Sequence, residues 1–171
     1  MGNEPFELKG TDDLPVLETI SISYIVAEDR MCIDGITASG EISRLWLTAR
    51  MLNRLIPQLL RINMNPSQDQ PVLDAAIDSQ PEGDKVEFCP GSAEFLIESI
   101  DIRPRNGSTV LVFKENEQIP RASFILSVGA LSRFTSSLRQ FSIIAGWPVS
   151  PWMEFESVNT DQAEPESVTV H

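Results

Sequence analysis

Two stretches of this chain, 79 residues apart, run a strand into a helix in the same way. Leu45-Trp46-Leu47-Thr48 lies over Phe124-Ile125-Leu126-Ser127, and Leu52, Arg54 and Leu59 fall on Leu131, Arg133 and Leu138. Leu55 falls on Phe134. Each stretch reads as an apolar strand, a hydroxyl where a helix cap belongs, and an apolar stripe at spacings of three and four. Only four of the eighteen residues from 45 to 62 are identical, so the match lies in role. Three strand-like segments precede each junction. A three-stranded sheet with one helix hides one face and leaves its edges open. Two such units can complete one core together. The expected fold is therefore α+β: two β-β-β-α units related by a pseudo-twofold, with an antiparallel sheet packed against two main helices.

The boundaries follow from local pattern. Residues 1–13 are polar and read as a flexible arm. Residues 14–64 form the first unit. In it, residues 20–26 alternate as a half-buried strand does, residues 31–33 and 42–47 supply two more, and Thr48 caps a helix that Pro57 should kink or divide. Residues 65–92 are an acidic, Pro-rich connector. Within it, residues 70–79 fit a short helix, with Pro71 in its first turn, and residues 86–89 fit a brief strand. Residues 93–153 form the second unit. Strands are expected at 95–102, 109–113 and 122–126, with Asn106-Gly107 turning the first into the second. That turn also accounts for Asn106-Gly107-Ser108, which spells a glycosylation sequon. Ser127 caps a helix burying Leu131, Phe134, Leu138 and Phe141, and Gly146 stops it. Residues 154–171 read as an acidic, disordered tail.

Hydrophobic residues make up 42% of the chain, enough for a core. No apolar run reaches the roughly 18 residues of a membrane span. The start lacks a signal-peptide layout, and Phe6 stands where a myristoylation motif places Ser or Thr. We therefore expect a cytoplasmic protein away from membranes, with Cys32 and Cys89 as free thiols. The net charge of −12 is unevenly placed. Residues 1–18, 65–95 and 154–171 together carry −15, so the remainder carries +3. All ten Arg lie in the predicted folded units.

Catalytic patterns are sparse. The only His is His171 at the chain end, where an acid–base relay has no fixed imidazole. Cys89-Pro90-Gly91-Ser92 lacks a His partner, and the paired acids Asp12-Asp13 and Glu28-Asp29 sit in the predicted arm and a turn. Neither a phosphate-binding loop nor a dinucleotide fingerprint occurs. No enzyme activity, metal or cofactor is expected. Arg50, Arg54, Arg61, Arg133 and Arg139 form a candidate cationic patch. In Trp147-Pro148-Val149-Ser150-Pro151-Trp152, two prolines stiffen a segment with an indole at each end. Trp147, Pro148, Pro151 and Trp152 are candidate partner-binding residues, or the segment folds back onto the core.

The strand-then-helix layout over residues 17–147 is similar in outline to single-strand nucleic-acid binders of the Whirly and PUR-repeat type. Tyr24, Trp46, Phe113 and Phe124 are the strand aromatics such a likeness would use. It implies a stacking sheet face, with the acidic tail competing for the basic one. The first expectation is a non-enzymatic interaction or assembly factor, an adaptor or subunit of a larger complex, whose partner is another protein or a second copy. The alternative is a single-stranded nucleic-acid binder.

Overall fold

A computed structural model of the chain describes residues 14–64, 85–148 and 168–171. Strands β1 (Val16–Ile25), β2 (Arg30–Thr37) and β3 (Ile42–Leu47) form an antiparallel meander that runs into helix α1 (Ala49–Met64). After β4 (Ala93–Leu96), strands β5 (Ser99–Arg105), β6 (Ser108–Asn116) and β7 (Ile119–Ser127) form a second meander that runs into α2 (Val128–Ile144). A last strand, β8 (Val168–Val170), lies within the segment expected to be a tail.

Local chemistry accounts for these elements. The Thr48 hydroxyl accepts from the Met51 N–H, and the Ser127 hydroxyl from the Ala130 N–H, each at 3.3 Å. Both caps serve the third helical N–H, which lacks a partner within its own helix. Asn106 and Gly107 take φ of 45° and 76°, the left-handed pair that a two-residue hairpin needs. Gly146 (φ 70°) follows α2. Helix α1 runs undivided through Pro57, so of the expected kink or division the division does not occur. The ring removes one helical hydrogen bond, but the buried side chains of Leu52, Leu55, Ile56 and Leu59 hold both halves in one core.

All eight strands join one mixed sheet in the order β4-β3-β2-β1-β7-β6-β5-β8. Parallel pairing joins β1 to β7 and β3 to β4, which corrects the expectation of a purely antiparallel sheet. The two meanders stand side by side with the same strand order and polarity. The two parallel seams correspond: β1 lies beside β7, the strand that feeds α2, and β4 lies beside β3, the strand that feeds α1. Leu17 sits at this seam, paired with Thr37 on one side and Phe124 on the other.

The sheet curls. Only two residues separate β4 from β5, yet β4 pairs with β3 and β5 with β6. The Ile97 N–H donates to the Trp46 carbonyl, and the Glu98 N–H to the Lys114 carbonyl. One bent strand therefore bridges both ends of the sheet. The Arg121 guanidinium of β7 lies 4.6 Å from the Phe95 ring centroid of β4. Four strand steps in a flat sheet would span about 19 Å.

The face toward the helices carries Ile33, Leu45, Leu47, Ile100, Ile102, Leu111 and Phe113, all buried in one cluster with residues of α1 and α2. Phe124 meets Phe134 edge to face at 6.0 Å. Both units thus share one core. The opposite face carries Cys32, Asp34, Arg44 and Trp46, and residues 85–89 pass beside it without joining the ladder, where a strand was expected at 86–89. The Val86 N–H donates to the Ser21 hydroxyl at 2.8 Å, and Phe88 stacks on the Arg44 guanidinium, which is paired with Asp34 at 2.6 and 2.7 Å.

A close approach fixes Gly35. A Cβ there would stand 2.5 Å from Leu17 Cδ1, and Leu17 is buried. Gly35→Val is expected to cost about 1–3 kcal/mol by overpacking, read as a lower urea midpoint with an unchanged slope. Among the described residues, no helix is long and apolar enough to cross a membrane.

Candidate functional site

The outer edge of β5 is filled by β8. Ile100 faces Val170, Asp101 faces Thr169 and Ile102 faces Val168, in an antiparallel ladder. Val170 is buried in the common core. The Thr169 hydroxyl donates to Asp101 Oδ1 at 2.7 Å. The Arg54 guanidinium donates to the His171 carbonyl. Main chain, socket, carboxylate and arginine together hold this short strand.

Asp101 is the electrostatic centre of the edge. Its carboxylate is buried and receives Lys114 at 2.8 Å and Arg103 at 2.6 Å, besides Thr169. Burial alone would raise its pKa, but the hydrogen bonds from Lys114, Thr169 and Arg103 bring it below the usual 3.8.

Where the bent strand passes from β3 to β6, a cleft of about 440 Å³ opens beside the end of β8. Thr48 and Arg50 from the start of α1, Glu98, Ser99, Glu117 and His171 line it, with Met51 and Leu96 as apolar walls. His171 Nδ1 lies 3.7 Å from Glu117 Oε1. Ser99 is 1% exposed, and its hydroxyl is the one buried side-chain polar atom without a hydrogen bond among the described residues. An orphaned buried hydroxyl is costly and calls for an explanation.

Trp147 folds back onto the body, 9% exposed, edge to face with Tyr24 at 5.6 Å, and its indole N–H donates to Asp29 Oδ1 at 3.0 Å. Pro148 is exposed, and Pro151 and Trp152 lie outside the described residues. Hydrogen bonds from Tyr24 and then Trp147 lower the Asp29 pKa below 3.8, while the Tyr24 hydroxyl is raised chiefly by its bond to Asp29. The contribution of Asp29 to stability is complete above pH 3.8 and is lost as pH falls through its lower folded value. Asp29→Asn is expected to flatten part of the acid limb of a stability–pH profile.

Arg50, Arg54 and Arg61 are exposed within one arc of α1, at helical positions about 40° apart in total. Arg133 and Arg139 of α2 diverge by about 120° around that helix. Arg133 and Arg139 therefore do not share one face of α2, and Arg54 is engaged with His171. The four aromatics of the expected stacking face separate too. Phe113 is fully buried, Phe124 packs on Phe134 and Tyr24 on Trp147. Trp46 alone lies on the face away from the helices, its N–H given to Glu94 at 2.8 Å.

Cys32 and Cys89 are free thiols; Cys32 is buried, with its pKa raised by desolvation, and Cys89 is exposed. Among the described residues, no group of three His, Cys, Asp or Glu is placed to hold a metal. Sequence reasoning missed the β5 edge. Its one signal was the alternation Val168-Thr169-Val170, too short to stand out from an acidic stretch.

No protein-family model matches this chain, and no curated protein matches it either.

Proposed function

We propose that this chain is a non-enzymatic protein-interaction or assembly factor, an adaptor or subunit that engages another protein or a second copy. One observation supports the reading above the others: the edge of β5 takes up a short strand from a distant part of the chain. It does so through main-chain pairing, a socket for Val170 and a carboxylate for Thr169. Strand addition of this kind is a general way of recognising extended peptides, with the backbone giving affinity and alternate side chains giving specificity. The exposed apolar ends of α2, Val128, Ile143 and Ile144, add surface suited to contact.

The test is affinity capture with the intact chain, followed by reconstitution of the purified pair by calorimetry. A saturable one-to-one complex is expected; failure to reconstitute any captured protein contradicts the reading. The arginine arc of α1 favours a second reading, binding of single-stranded nucleic acid. The described body is close to neutral, with twelve Lys and Arg against eleven Asp and Glu, whereas the other residues hold fourteen acids and one Lys. Titration of labelled oligonucleotides at low salt, with and without residues 154–167, separates the two. Binding that falls steeply with salt would displace the protein-interaction reading.

A further inference from the structure

Among the described residues, β8 pairs with the middle of the β5 edge. It pairs with Ile100, Asp101 and Ile102, three of the seven residues of β5. Side chains alternate along a strand, so Ser99 shares the face of Asp101. Continuing the register sets His171 opposite Ser99. The Thr169 hydroxyl satisfies Asp101, but nothing satisfies Ser99, because the imidazole of His171 turns to Glu117. The cleft begins at this point, and its charged lining holds two carboxylates, Glu98 and Glu117, against Arg50 and His171.

We propose that β5 exchanges residues 168–171 for an extended segment of a partner protein that also satisfies Ser99 and the cleft beside it. Its sequence class is Val or Ile, Thr or Ser, Val or Ile, then Thr, Ser or Asn, followed by Lys or Arg. The first three residues repeat what Val168, Thr169 and Val170 do. The fourth supplies the hydrogen bond that Ser99 lacks. The basic residue enters the cleft beside Glu98 and Glu117. The resident strand is a placeholder, kept at the edge by the covalent connection through residues 149–167, whose local concentration the partner must exceed. The inference rests on the interaction reading above and names the partner chemistry for it.

The experiment titrates a labelled ten-residue peptide containing Val-Thr-Val-Thr-Lys into the intact chain and into Val170→Asp, with anisotropy as readout. Val170→Asp weakens the resident strand, so it should bind the peptide at least tenfold tighter than the intact chain. Replacing the first Thr of the peptide by Val should cost at least fivefold. The second Thr should outperform Val with Ser99 present and lose that advantage in Ser99→Ala. Amide shifts should centre on Ile100 to Arg103. Equal affinity for both chains, or shifts elsewhere, overturns the proposal. Should Val170→Asp fail to fold, the intact chain cut by a protease site placed within residues 149–167 replaces it; a resident strand that saturating peptide does not displace then overturns the exchange. Light scattering should give a monomer mass, and a doubled mass abolished by the peptide assigns the edge to a second copy instead. A reconstituted partner complex that persists while every peptide fails removes this assignment and leaves the interaction reading standing.

Discussion

Phe113→Ala lowers the stability of the chain by about 3–5 kcal/mol, the cost of a large cavity in a core that cannot collapse to fill it. Phe113 is fully buried and the largest of the side chains that are. It stands on β6 between Ile100 of β5 and Ala122 of β7, where the second meander faces the helices. The bent strand lies on one side of it and the strand feeding α2 on the other. Its loss therefore loosens the closure of the sheet as well as the local packing. Equilibrium urea unfolding followed by far-UV circular dichroism reads the effect as a lower midpoint with an unchanged slope. For a domain stable by about 5–15 kcal/mol, this single change removes a large share. A loss below 1 kcal/mol would contradict the burial of Phe113.

Asp101→Ala is the second large effect, about 2–3 kcal/mol. Removing one partner of a buried ion pair leaves the other charge uncompensated. The Lys114 and Arg103 side chains are 16% and 29% exposed, so water recovers part of that cost. The same change frees Thr169, and β8 should detach before the body unfolds. Amide exchange at Val168 and Val170 should rise well before exchange at Leu111. The pH dependence has a definite sign. Asp101 has a lowered folded pKa, so its contribution is complete above pH 3.8 and fades as pH falls through the folded value. Asp101→Ala therefore removes part of the acid-side slope along with the stability.

Local pattern carried much of the fold. The junctions at Thr48 and Ser127 are legible because a cap and an apolar stripe are short-range signals, and both caps form as expected. Asn106-Gly107 is legible because few residues accept paired left-handed dihedrals. What connects the units was not legible. Apolar periodicity says which residues face a core but not which strand edges meet, so the parallel β1–β7 and β3–β4 pairings lay beyond it. Residues 95–102 read as one strand, yet the chain bends at Ile97 and Glu98, where hydrogen bonding passes from β3 to β6. Helix α1 survives Pro57 because tertiary packing outweighs local propensity.

The candidate site shows the same division. Trp147 was singled out as an unusual residue, and its environment proves to be the body of the protein, with Tyr24 and Asp29. Arg54, one of the candidate cationic residues, donates to the His171 carbonyl beside β8, a role that only the folded chain reveals. The β5 edge depends on Asp101, Ser99 and Thr169. These are ordinary polar residues in sequence, and only the ladder gives them their roles.

Cross-strand nuclear Overhauser effects give the most direct test that residues 168–170 complete the sheet at β5. Contacts are expected to join Ile100 to Val170, Asp101 to Thr169 and Ile102 to Val168, with extended-strand chemical shifts for both valines. Random-coil shifts at Val168 and Val170, with no contact to β5, would contradict it.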